Sequence, residues 1–160
     1  MTKSLVALVA ICGWLAASVA EGADYVKLVH ADTGKVLAVA DNSDDAGAKA
    51  VIAKDDGSKG QQWKFEKDGE HWKIVNRKSG KVLDVEMEST EEGGNIIQWD
   101  DKSEGTDNQR WSWVGSGKER RLKSKSSELV LDIGEDNAVV QKKPSDQAKG
   151  QLWRVVEVKD

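Results

Sequence analysis

Four side chains in the middle of the chain could together do chemistry: Asp84, Trp99, Asn108 and Gln109. A carboxylate accepts hydrogen bonds from neighbouring hydroxyls, and side-chain amides both donate and accept. An aromatic ring offers a flat apolar surface to the C–H face of a pyranose. Asp84 sits in Leu83-Asp84-Val85, where alternation puts Leu83 and Val85 on one face and turns Asp84 to the other. Trp99 follows fifteen residues later, at the end of Ile96-Ile97-Gln98-Trp99, with Ile96 in the core phase. Asn108-Gln109 opens Gln109-Arg110-Trp111, and an amide at this place can tie the adjacent turn through backbone hydrogen bonds. These are the parts that hold a neutral polyol by reversible binding.

The elements that must position them recur along the chain. Gln-x-Trp occurs three times, at Gln61-Trp63, Gln109-Trp111 and Gln151-Trp153, with the tryptophans 48 and 42 residues apart. Upstream of each lies a short apolar strand, 35–39, 81–85 and 129–133, and a further strand opens each unit at 26–29, 72–75 and 120–123. Turn signals separate them, at Thr33-Gly34, Ser79-Gly80, Gly93-Gly94 and 115–117. No stretch sustains a 3.6-residue apolar period. The pattern predicts an all-β protein of three repeats of four short strands, about 24–70, 71–119 and 120–160, each with a final strand starting at Gln-x-Trp. Trp63, Trp111 and Trp153, once per repeat, are expected as core pillars.

Three such units resemble the ricin B-type lectin family. The resemblance implies a β-trefoil with pseudo-threefold symmetry, shallow carbohydrate sites, no catalysis and no cofactor. It also implies the roles in repeat two: Asp84 accepts from hydroxyls, Trp99 stacks, Asn108 bonds a hydroxyl and Gln109 supports Asp84. Galactose or N-acetylgalactosamine is the sugar type it suggests. Two departures stand out: Ile97, where the family often places a glutamine, and Val82 with Asp101, where many members have a disulfide. Repeat one has Ala38 for the aspartate, Ala53 for the platform and Gly60 before Gln61, so it is expected to bind nothing. Repeat three keeps Asp132 and Gln151 as a weaker second candidate, but has Lys142 and Lys143 near the platform position, Gly150 before Gln151, and six fewer residues between Asp132 and Gln151. The alternative from another class is a non-catalytic trefoil that binds or inhibits a protein through its loops.

Composition narrows the partners. With 24 basic and 28 acidic residues the net charge is −4, which disfavours nucleic acid. The expected partners are glycans or glycoproteins, bound by a monomer. Lys3, the apolar run Leu5–Ala17 and the small residues Ser18-Val19-Ala20 read as a signal peptide over 1–20, too short for a comfortable span. The mature chain is then expected to begin near Glu21, without membrane insertion and without the single cysteine, Cys12. Export to the extracellular space, or to the periplasm of a bacterium, follows from that segment. The acidic run 41–47 lacks the Gly and Glu of a calcium loop, having Ala46 and Ile52 there, and is expected as a solvated turn. His30 and His71 lack partners at metal-ligand spacing and are expected to be structural.

Overall fold

The computed structural model describes residues 25–159; the segment 1–20 lies outside them. The described chain forms twelve strands. They are β1 (Val26–His30), β2 (Val36–Val39), β3 (Ala50–Ala53), β4 (Trp63–Asp68), β5 (His71–Asn76), β6 (Val82–Val85), β7 (Ile96–Trp99), β8 (Trp111–Val114), β9 (Arg121–Ser124), β10 (Val130–Ile133), β11 (Val139–Lys142) and β12 (Trp153–Glu157). The expected strands are thus present, shifted by a residue or two at their ends. One boundary differs in kind. Each closing strand starts at the tryptophan, because the glutamine ends a short 3-10 turn: Lys59–Gln61, Asp107–Gln109 or Lys149–Gln151.

Six strands close a barrel. β12 pairs β1, β1 pairs β4, β4 pairs β5, β5 pairs β8 and β8 pairs β9, all antiparallel. An Arg120–Trp153 bridge completes the ring, so the barrel has no free edge. The other six strands form hairpins β2–β3, β6–β7 and β10–β11. Bridges Lys49–Ile97, Val51–Ala138 and Asn95–Val140 join these hairpins in a triangle that caps one end. This is a β-trefoil, with four strands contributed in turn by each third of the chain.

The core is where the three thirds meet. Leu28, Leu37, Ile74, Leu83, Leu122 and Leu131 are all fully buried together with Trp63, Trp111 and Trp153. The Nε1–H of Trp63 donates to the Leu37 carbonyl at 3.0 Å, and that of Trp111 to the Leu83 carbonyl at 3.0 Å. Trp153 instead meets the buried His30 ring edge-on, at 5.3 Å between centroids. His30 is bonded through Nδ1 to Thr33, which fits a structural histidine. Core packing and the Trp111 indole hydrogen bond therefore reach the strand that carries Asp84 from behind.

The glutamines of the repeated motif do one job three times. Gln61, Gln109 and Gln151 each donate Nε2–H to a carbonyl of the preceding loop, that of Lys54, Asp100 or Lys143. Each accepts at Oε1 from a backbone N–H two residues further on, that of Asp56, Lys102 or Ser145. A second glutamine pair was not foreseen from sequence. Gln98 donates to the Ser43 and Asp45 carbonyls, and Gln141 to those of Ser89 and Glu91. Each thereby pins the acidic turn of the preceding repeat against its own. The turn at 41–47 is held in this way by side chain and backbone, and Gly47 N–H donates to the Gln98 carbonyl at 2.8 Å.

Candidate functional site

Asp84 stands on β6 opposite Ile97 of β7, and Trp99 ends β7 opposite Val82. Asn108 and Gln109 lie in the 3-10 turn that leads into β8. The fold brings all four together. Asn108 Nδ2 donates to Asp84 Oδ1 at 2.8 Å, and Gln109 Nε2 donates to Asp84 Oδ2 at 2.7 Å. Each carboxylate oxygen thus keeps a lone pair for a ligand while its direction is fixed from below. Trp99 is 41% exposed, whereas the other three are almost fully buried by their neighbours.

The amides are more fully engaged than the sequence suggested. The second Asn108 Nδ2 hydrogen goes to the Val85 carbonyl at 3.1 Å, which leaves Asn108 only its Oδ1, shared with Lys102 Nζ at 3.3 Å. Gln109 is saturated by Asp84, Asp100 and the Lys102 backbone. Both residues therefore position Asp84, and Asn108 offers at most an acceptor outward.

Asp84, Trp99 and Asn108 line an open pocket of about 550 Å³, within the usual range of ligand sites, while Gln109 lies buried behind Asp84. Its walls also include Gly47, Glu86, Met87, Glu88, Ile97 and Lys102. Gly47 comes from the turn of the preceding repeat and lies against the Trp99 ring; a Cβ there would meet its Cζ3 at 3.5 Å. Lys102 Nζ binds Glu88 at 2.8 Å, and Glu86 accepts from Asn95 Nδ2 at 2.7 Å. Sequence reasoning missed Gly47, Met87, Glu88 and Lys102. Their positions depend on how loops from two repeats fold beside β6, which no residue pattern in the sequence signals.

Burial pushes the Asp84 carboxyl above the ordinary carboxylate range. Hydrogen bonding from Gln109, the Lys102 ammonium and hydrogen bonding from Asn108 pull it back without cancelling the shift. A raised folded-state value means the folded chain holds this proton more tightly than the unfolded one. Asp84 thus contributes most to stability at acid pH, and that contribution is lost as pH rises through its folded value. Ionised, Asp84 is a desolvated charge braced by two amides, in a pocket that also holds a flat apolar ring. Such a pairing suits a ligand with hydroxyls on one side and C–H on another. Among the described residues no group of three or more His, Cys, Asp or Glu could hold a metal ion.

The equivalent places in the other repeats are built differently. In the third, Asp132 and Gln151 do meet, Gln151 Nε2 donating to Asp132 Oδ2 at 3.0 Å. Without an asparagine beside it, Asp132 Oδ1 turns back to accept from the Ile133 N–H at 2.7 Å. It lies 2.3 Å from where a Cβ on Gly150 would be, so the carboxylate fills the space of the missing side chain. Lys142 occupies the platform register, opposite Val130. In the first repeat Ala38 and Ala53 take the two key places, and Asn42 Oδ1 fills the slot over Gly60, 2.2 Å from a Cβ built there.

Residues 13–99, more than half of the chain, match the family profile described as ricin-type beta-trefoil lectin domain-like. No curated protein matches the chain by sequence. Among solved structures, the designed threefold-symmetric protein ThreeFoil is similar over 84% of this chain and 99% of its own, with 36% identity and a TM-score of 0.78. An exo-beta-1,3-galactanase from Clostridium thermocellum is similar at 35% identity and a TM-score of 0.77, over 88% of this chain. This chain spans only 31% of that enzyme. A ricin B-like lectin from Macrolepiota procera, solved with lactose, shares the fold at 18% identity and a TM-score of 0.70, over 84% of this chain and 95% of its own.

Proposed function

This chain belongs to the ricin-type β-trefoil lectin domain-like family, and from that premise we propose that it binds carbohydrate at the Asp84–Trp99 pocket without acting on it. One observation carries the reading: Asp84 is held from below by Asn108 and Gln109 with acceptor capacity left over, opposite a half-exposed indole. Asp84 accepts from two adjacent sugar hydroxyls, and Trp99 takes the C–H face of the ring. Gln109 and Asn108 fix Asp84, and Asn108 Oδ1 is the one amide atom left to meet a hydroxyl. The ligand is of the galactose or N-acetylgalactosamine type, although Ile97 stands where a further polar contact would help choose the sugar.

Two features support binding alone. Each carboxyl around the pocket has a partner: Glu86 with Asn95, Glu88 with Lys102, and Asp84 with the two amides. None is arranged as a free proton donor beside a second, nucleophilic carboxylate. The similar galactanase owes most of its length to regions without a counterpart in this chain.

Site by site, the reading is monovalent. Repeat one lacks the carboxylate and the platform, and in repeat three Asp132 is turned inward beside Lys142. A shallow site of this kind gives an affinity on the order of 1 mM, about −4 kcal/mol. The protein acts as a monomer. It works outside the cytoplasm, on the strength of Lys3, the apolar run that follows and Ser18-Val19-Ala20.

A glycan array probed with residues 21–160 tests the function, with Trp99→Ala as control. Signals from terminal galactose-type glycans that vanish in Trp99→Ala are expected. An array blank at high protein concentration would sink the sugar reading. The pH dependence is a second check. Binding needs the Asp84 carboxylate, so affinity should fall as pH drops through its raised value, earlier than for an ordinary aspartate. Calorimetry from neutral pH down into the carboxylate range should show this decline before any loss of fold. Affinity flat to the onset of acid unfolding would remove Asp84 from the contact.

A further inference from the structure

One residue of the pocket is a poor choice for its backbone. Met87 has φ 55° and ψ 24°, the left-handed region, and is 93% exposed. The fold dictates that backbone, because the corresponding residues of the other repeats adopt it too: Asp41 at φ 54° and Asp136 at φ 52°. Aspartate tolerates the left-handed region through local hydrogen bonding, whereas a long apolar side chain gains nothing there. Nor does burial compensate, since almost all of Met87 faces water. An apolar side chain therefore stands at this position only in the repeat whose pocket is complete. A residue held at some cost at a binding site points to what it meets outside the chain.

The pocket has room for such a partner. A hexose has about twelve heavy atoms, which even at water's roughly 30 Å³ each would take ~360 Å³. The pocket measures about 550 Å³, and Met87 and Trp99 both line it. Lys102, tied to Glu88 and Asn108, supplies polar wall.

We infer that Met87 forms a second subsite, which takes an apolar group carried beyond the sugar ring that Asp84 and Trp99 hold. This rests on the sugar-binding reading. The chemistry is a C–H-rich face that the thioether side chain can cover, and a flexible methionine adapts to such surfaces. A second, glycosidically linked pyranose offers that face, and so does the methyl of an N-acetyl group.

The test compares the wild-type chain with Met87→Asn, which keeps a residue suited to the left-handed backbone and adds no charge. The probes are methyl β-galactoside, methyl N-acetyl-β-galactosaminide and lactose, each titrated by calorimetry. Wild type should bind lactose, the N-acetyl sugar or both about fivefold more tightly than the plain galactoside, ~1 kcal/mol. Burying roughly 40 Å² of apolar surface supplies that much. Met87→Asn should reduce the gain to within twofold and keep or raise the melting temperature. A gain with lactose assigns the subsite to a second pyranose, and one with the N-acetyl sugar assigns it to the acetyl methyl. Equal affinity for all three probes overturns this inference alone, as does an equal loss across all three in Met87→Asn. Binding of none by either protein overturns the sugar reading and this inference together.

Discussion

Asp84→Ala is expected to fold normally and to lose glycan binding by at least tenfold, to below detection for a millimolar ligand. A charged acceptor in a hydrogen bond contributes roughly 1.5–3 kcal/mol, or about 10- to 150-fold. The fold should survive because the first repeat already carries this substitution. Ala38 occupies the same register, yet Gln61 still makes the loop bonds that Gln109 makes. Two effects on stability also oppose each other. Removing the carboxylate relieves a desolvated charge, whereas Asn108 and Gln109 each lose one acceptor and keep another. The net change should be about 1 kcal/mol or less in urea unfolding. Asp132→Ala serves as the paired control, since its carboxylate is already satisfied by Ile133 and Gln151. Its binding should match wild type. Affinity within twofold of wild type for Asp84→Ala, or its loss in Asp132→Ala, would show that the wrong repeat had been assigned.

Trp111→Ala should cost on the order of 3–5 kcal/mol, as removal of a large core aromatic does. The ring is fully buried where the three thirds of the chain meet, so the void cannot be filled without moving strands from all of them. The substitution also removes the Nε1–H that satisfies the Leu83 carbonyl. That carbonyl belongs to the residue before Asp84, so binding should decline along with stability. For a domain with a total stability of about 5–15 kcal/mol, this one change brings the chain close to unfolding at room temperature. Trp99→Ala provides the contrast. Its side chain is partly in water, so it should cost roughly 1 kcal/mol or less while removing the platform. A change under about 1 kcal/mol for Trp111→Ala in urea unfolding would mean that the tryptophan does not pillar the core.

Much of this protein was legible in the order of its residues. The triple Gln-x-Trp spacing and the short apolar strands before each determined the threefold β architecture, because every repeat needs the same buried face to close the barrel. Alternation in Leu83-Asp84-Val85 placed Asp84 off the core, and the resemblance to the lectin family, matched residue by residue, set Trp99 and Asn108 beside it. The same comparison put alanines, Ala38 and Ala53, at the corresponding places of the first repeat. These are local properties of residue type and phase, and the register of a strand carries them. What a hydrogen bond is spent on is not local. Tertiary structure alone decided that both Asn108 amide hydrogens point inward and that Gln98 reaches back more than fifty residues to pin another repeat's turn. It also set Gly47 against Trp99, and folded Asp132 onto its own strand over Gly150. Partners far apart in the chain compete for the same donors and the same space, and only the closed trefoil settles which of them wins.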